Sequence, residues 1–374
     1  PFMTEMTIPF VDLAGQFQNL EGELTKAFLD IGRSGVYIMG DRLESFEIKA
    51  AEYCGVKHAI GVGHGSDALF LILKALDIGP GDEVITATNS FIASAWVVAA
   101  TGATPVLVDV AEDFNIEPAL IEAAITAETR AVIPVHLTGR PAPMDEINLL
   151  AKSHGLHVVE DAAQAIGARY RGRRVGSLGL AAGFSLHPLK NLGVYGDGGL
   201  IATNDDKLAS KLRTLRNHGL RNRDECEVWG FNSRLDSMQA AFAEIKLGFL
   251  DSWNERCREI AVSYRTGLAD FVQVPFDQTW EECVYHNFVI RTEMRDELMA
   301  HLQEHGVDTR IHYPIPIHLQ DAAKDLGYQV GDFPNAEKYA KTMISLPIYP
   351  DLNDAQVTYI VQAVKSFFDE LEKK

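Results

Sequence analysis

One lysine stands in an unusual setting. The stretch 184-FSLHPLKNLGVYGDGGLI-201 places Lys190 between Pro188 and a run of glycines, just after an apolar strand-like segment. Upstream, 158-VVEDAAQAIGA-168 stops a second apolar run at Asp161, with Gln164 three residues on. A surface lysine needs no such surroundings, whereas a lysine that bonds covalently to something held in a cleft does. A third element is 61-GVGHGSDALFLILKAL-76, a glycine-rich turn between a strand and a helix. Backbone N–H groups at such a helix start, here Gly65 and Ser66, suit a phosphate. Ser185, ending the strand before Lys190, can add a hydroxyl to it, and Phe91 in 88-TNSFIASAW-96 can cover one face of a ring.

Each residue also has a plainer reading. Ser66 or Asp67 can be an N-cap, Asp161 can cap a helix over 162–168, and Phe91 can be a core side chain. A dinucleotide fingerprint is a further alternative, but 61-GVGHG-65 lacks the GxGxxG spacing, which weakens an NAD-dependent dehydrogenase. Taken together, the amine, the strand-end carboxylate and the phosphate-binding turn are the three requirements of pyridoxal 5'-phosphate.

The elements that must position these residues form a regular series. Seven short apolar runs start at 59, 84, 105, 131, 157, 181 and 199, most of them continuous rather than alternating, as in strands buried on both faces. Helical patterns such as 67-DALFLILKAL and 116-IEPALIEAAI lie between them. The alternation predicts an α/β fold with a large, mostly parallel, seven-stranded sheet, whose ligands bind beyond the carboxyl ends of the strands. Apolar residues at 235, 238, 242, 245, 249, 253, 257, 260, 264 and 268 predict one long amphipathic helix or two in tandem. The chain is expected to divide there, into a large domain over 1–250 with an N-terminal arm and a smaller α+β domain over 251–374.

Composition narrows the function classes. The 374 residues carry 34 basic against 52 acidic side chains, a net charge of −18, which argues against nucleic acid. No apolar run reaches bilayer length, and no secretory leader is visible. The opening Pro-Phe-Met-Thr-Glu-Met reads as an added segment ahead of a native start at Met3 or Met6. Four scattered cysteines without a CxxC pair fit reduced thiols in a cytoplasmic protein, and no metal site is expected. Two basic clusters, 213-RTLRNHGLRNR-223 and 310-RIHYPIPIH-318, could hold a small anion or simply be solvated.

The chain resembles the DegT/DnrJ/EryC1/StrS family of pyridoxal-phosphate-dependent nucleotide-sugar aminotransferases. The resemblance runs from about residue 8 to 365. It is carried by 61-GVGHGSDAL, 79-GPGDEVITATNSF, 134-PVHLTG, 160-EDAAQAIGA, 184-FSLHPLKNLGVYGDGG, 230-GFNSRLDSMQAA and 312-HYPIPIHLQ. It implies the fold type I, aspartate aminotransferase-like architecture and a homodimer with shared sites. Lys190 would form the Schiff base and carry the proton, Asp161 would pair with the pyridine nitrogen, and Gln164 would bond the phenolic oxygen. Gly65, Ser66 and Ser185 would hold the phosphate, with Asn232 reaching that of the neighbouring subunit. Arg221, Phe231, His312 and Tyr313 would face the nucleotide sugar, and L-glutamate would be the donor, leaving as 2-oxoglutarate. Many relatives have an aromatic residue where this chain has His187. Dehydratases of the same fold have His at the lysine position, so Lys190 argues against dehydration. The 196-GDGG turn resembles the subgroup acting on 3-keto sugars, which implies a 3-keto-6-deoxyhexose on dTDP. A 4-keto acceptor and a non-catalytic pyridoxal-phosphate-binding regulator are the alternatives.

Overall fold

The computed structural model describes residues 6–371; of the two candidate starts, Met3 lies outside the described residues. All seven apolar runs are strands: β1 (His58–Val62), β2 (Glu83–Ala87), β3 (Thr104–Val108), β4 (Thr129–Ile133), β5 (His157–Asp161), β6 (Ala181–Ser185) and β7 (Gly199–Thr203). They form one sheet in the order β1-β7-β6-β5-β4-β2-β3. Pairing is parallel from β6 across to β3, while β7 runs antiparallel to both β6 and β1. Helices cover both faces, which is why β7 is buried at all five positions and β4 at four of its five.

Because six strands point the same way, the segments after β1, β2, β4, β5 and β6 emerge at one edge. The turn after β1, Phe91, His136, Asp161 and Ser185 all lie there. The start of β7 lies there too, since that strand is reversed. The loop between β6 and β7 therefore leaves and returns at this edge, carrying Lys190. Closure is tight: a Cβ on Gly199 would lie 2.3 Å from the His64 carbonyl oxygen, so no other residue fits beside the β1 turn.

The amphipathic run after 235 is two helices in tandem, Ser237–Leu247 and Leu250–Leu268, separated at Gly248 and Phe249. The second contributes Cys257, Ile260, Tyr264 and Leu268 to a separate apolar core. That core also takes Ile8, the strand pair Phe288–Arg291 and Met343–Leu346, and the helices Arg295–Glu304 and Asp354–Leu371. Burying each large apolar side chain there contributes about 1.5–3 kcal/mol. Val284, Val289, Ile317, Phe333 and Met343, from the second half of the chain, pack instead into the main core. Among the described residues, no helix is long and apolar enough to cross a membrane.

Candidate active site

The helix that follows β1, Gly65–Ala75, is capped by His64 rather than by Ser66 or Asp67 as the sequence allows. The His64 Nδ1 accepts from Asp67 N at 3.0 Å, and the His64 carbonyl accepts from Ala68 N at 3.1 Å. The N–H groups of Gly65 and Ser66 precede these and have no hydrogen-bond partner among the described residues. A Cβ on Gly65 would lie 2.7 Å from the Cβ of Ser185, so the helix start and the end of β6 are in contact. The three residues expected at a phosphate are thus brought together.

Asp161 ends β5 and is 5% exposed. No helix follows it: residues 162–168 are consecutive turns, so the expected helix over this segment does not form. Oδ2 accepts from Ser94 Oγ at 2.7 Å and Oδ1 from Ala163 N at 3.2 Å. Burial raises its pKa above the ordinary carboxylate value, opposed by these bonds and by the nearby charge of Lys190. Beneath it, Glu160 is fully buried and accepts from the N–H of Gly176, Leu178 and Gly179 at 2.7–2.8 Å and from His136 Nε2 at 2.9 Å. That network fixes the strand end from which Asp161 projects.

Lys190 is held down to about 8 by burial, which disfavours its ammonium, with Asp161 opposing. Its Nζ lies 3.5 Å from the His286 Nε2. His286 is held well below the usual histidine value by burial and by the charge of Lys190. His312 is lowered to about 4 for the same two reasons, in the same order, and its Nδ1 lies 2.8 Å from Ser345 Oγ. His187 is lowered as well, first by burial and then by Lys190. Neutral imidazoles therefore surround an amine that is itself poised near neutral pH.

Gln164 is anchored at both ends: Thr138 N donates to its Oε1 at 2.7 Å and its Nε2 donates to Tyr313 Oη at 3.2 Å. The Tyr313 ring lies 5.6 Å from that of Phe91, which is 53% exposed rather than a core residue. Burial, aided by the Asp161 charge, raises the Tyr313 hydroxyl above its ordinary value. His312 and Tyr313 thus join the group around Lys190. The other expected residues stand apart within this one chain. Arg221 lies in a hairpin, with its N–H on the Glu225 carbonyl and its guanidinium 3.5 Å from Glu227. Phe231 packs edge-on against Phe70 at 5.1 Å. Asn232 is exposed, its backbone bridging to Asn217.

Ser94 and His286 are absent from the sequence reading. Neither belongs to a local motif, and each reaches the site only through folding, Ser94 from 67 residues before Asp161 and His286 from 96 residues after Lys190.

A half-buried amine in the field of a buried carboxylate, beside a helix start, is an arrangement that could take the aldehyde, ring nitrogen and phosphate of pyridoxal phosphate. The DegT/DnrJ/EryC1/StrS aminotransferase family model matches residues 18–365. The chain belongs to this family. Members of the family depend on pyridoxal phosphate and are aminotransferases, and this chain has their fold. Among its relatives, the dTDP-3-amino-3,4,6-trideoxy-alpha-D-glucose transaminase of Streptomyces venezuelae is 47% identical over 98% of this chain and 97% of its own. A pleiotropic regulatory protein of Geobacillus stearothermophilus is 46% identical over 97% and 99%. The crystal structure of S. venezuelae DesV in complex with a ketimine intermediate superposes with a TM-score of 0.95 at 48% identity, covering 96% of this chain and 98% of that one.

Proposed function

We propose that this aminotransferase moves the amino group of L-glutamate onto C3 of a 3-keto-6-deoxyhexose carried on thymidine diphosphate. The observation that carries the reading is the placement of Lys190 on the β6–β7 loop at the sheet edge where the buried Asp161 ends β5, its amine 3.5 Å from His286 Nε2 and lowered to about 8 by burial with Asp161 opposing. The names of the S. venezuelae relative and of a 46% identical Aneurinibacillus thermoaerophilus transaminase, both for 3-amino sugars on dTDP, support the sugar and the carbon.

Bound pyridoxal phosphate supplies a conjugated pyridinium that takes up the electron pair left when the donor's Cα proton departs. In this proposal Gly65, Ser66 and Ser185 bind its phosphate, Asp161 keeps the ring nitrogen protonated, and Gln164, fixed by Thr138 and Tyr313, bonds the phenolic oxygen. Phe91 covers the ring. Lys190 Nζ holds the cofactor covalently at rest. Displaced by the incoming amine, and with a proton affinity near neutrality, it would take up the proton from the donor's Cα and carry it across the nitrogen to the cofactor. In the second half the same amine runs the transfer in reverse on the sugar. His312 and Tyr313 line the sugar side, and neutral His286 and His187 leave Lys190 free to exchange its proton.

The proposal includes a homodimer in which the exposed Asn232 and Arg221 serve the neighbouring site. Its support is the set of exposed apolar side chains, among them Trp229 at 94% and Tyr37 at 54%, together with the open position of Phe91. It also includes a division of the chain near residue 250 and a cytoplasmic location, for which four free cysteines speak. The regulatory name of one relative favours a second, non-catalytic reading, but regulation alone gives no reason to keep Lys190, Asp161 and Gln164 in one cleft. The test offers matched dTDP-linked 3-keto and 4-keto sugars with nitrogen-labelled glutamate and locates the new C–N bond by NMR. Nitrogen at C3 is expected. Nitrogen at C4 alone removes the assignment of carbon, and no transfer to any keto sugar removes the reading.

A further inference from the structure

Lys246, near the end of the Ser237–Leu247 helix, is turned inward and is 2% exposed. Its Nζ donates to the Gly193 carbonyl at 2.7 Å and to Gln16 Oε1 at 2.9 Å. The ammonium also lies 4.2 Å from the centre of the Tyr195 ring. No carboxylate pairs with it among the described residues, and burial alone lowers its proton affinity, to about 8. Burying an ammonium without a counter-ion is unfavourable, and a methionine would fill the same space without that cost. What the amine holds explains its presence: Gln16 belongs to the helix Leu13–Ser34, and Gly193 and Tyr195 belong to the loop that carries Lys190.

That loop is narrowly determined. Lys190 N donates to the His187 carbonyl and Val194 N to the Leu186 carbonyl, both at 2.8 Å. A Cβ on Gly193 would lie 2.4 Å from the Pro188 carbonyl oxygen, so the Gly193 carbonyl sits in a turn that admits no side chain. The tandem helices grip the loop at three alternate residues. Asn191 Nδ2 donates to Asn254 Oδ1 at 2.9 Å, and Gln239 brackets Tyr195 at 2.9 and 3.2 Å. Lys246 holds the central residue, and of the three side chains only Lys246 is charged.

We propose that Lys246 is a positioning residue for Lys190: its bond to the Gly193 carbonyl fixes the loop that presents the Lys190 amine to the site. The inference rests on the reading of Lys190 as the reactive amine. Loosening the loop admits water to that amine, so its titration returns toward that of an ordinary lysine, while the sugar-binding residues on other segments stay in place.

The experiment compares wild type with Lys246→Met and Lys246→Gln. In protein stripped of cofactor, the pH dependence of Lys190 acetylation is followed by mass spectrometry. In the loaded enzyme, kcat and KM are measured beside thermal melting. Wild-type Lys190 is expected to titrate near 8. In both variants its titration should move upward and kcat should fall about tenfold or more, the scale of one lost hydrogen bond from a charged donor, with KM for the sugar nearly unchanged. Gln16→Met, which leaves the Gly193 bond intact, should keep the wild-type titration. A lower melting temperature with Lys190 titration and kcat unchanged overturns the proposal. If Lys246→Met does not fold, Lys246→Gln carries the same expectations. Failure of the underlying reading is seen separately, as borohydride fixing the cofactor to a lysine other than Lys190 in wild type.

Discussion

The charge of Asp161 can be perturbed through Ser94 without altering the carboxylate itself. Burial pushes this group toward its neutral form, and the Ser94 hydroxyl at 2.7 Å is the first of the interactions that oppose it. A hydrogen bond to a buried charged acceptor is worth about 1.5–3 kcal/mol. Ser94→Ala removes that bond and leaves, among the described residues, Ala163 N at 3.2 Å as the remaining donor to the carboxylate. It also deprives the buried Ser90 hydroxyl of its partner at 2.8 Å. At about 1.4 kcal/mol per factor of ten, the protonation equilibrium of Asp161 shifts by roughly ten- to a hundredfold toward the neutral acid. A neutral Asp161 cannot hold the ring nitrogen charged, so the variant should lose activity at the acidic end and recover it as pH rises. The assay is kcat/KM across about pH 5 to 8, with the visible absorbance of the cofactor confirming equal loading. A variant whose pH profile superposes on that of wild type would falsify the assignment of Ser94 as the group that keeps Asp161 ionised.

Two further outcomes are expected. Gly65→Ala places a Cβ 2.7 Å from that of Ser185, and because backbone on both sides must shift, cofactor affinity should fall about tenfold or more, read by fluorescence titration, with the fold retained. His312 is lowered from 6.5 to about 4, so below pH 6.5 the unfolded chain binds the proton that the folded protein refuses. Stability conferred at neutral pH is therefore lost as pH falls from 6.5 toward 4, by at most about 1.4 kcal/mol per pH unit. Urea unfolding at pH 7 and 5 should show a smaller acid loss in His312→Asn than in wild type, and equal losses would contradict the burial of a neutral ring.

The seven strands were legible because burial on both faces leaves continuous apolar runs, a signal that survives without any tertiary knowledge. Their order was not legible, since the pairing of β1 with the reversed β7 depends on crossovers that no run of residues encodes. Within the site, Lys190, Asp161 and the Gly65–Ser66 turn stood out because each sits where an element ends and backbone is exposed. The helix expected after Asp161 gives way to two successive turns, Ala165 N donating to the Ala162 carbonyl and Ala168 N to the Ala165 carbonyl, with Gly167 at a positive φ of 94° that no helix contains. Ser94, His286 and Lys246 look like ordinary helix or loop residues in the sequence. Their roles depend on which side of an element faces inward and on what lies across the gap, which local spacing does not reveal.

The central claim is that Lys190 is the residue bonded to the cofactor. Borohydride reduction of the loaded wild-type enzyme, followed by peptide mapping, tests it directly. A pyridoxyl label on Lys190 alone, and none in Lys190→Ala, is the predicted result. A label on any other lysine, the buried Lys246 included, or an unlabelled wild-type protein that still transfers nitrogen, would contradict it.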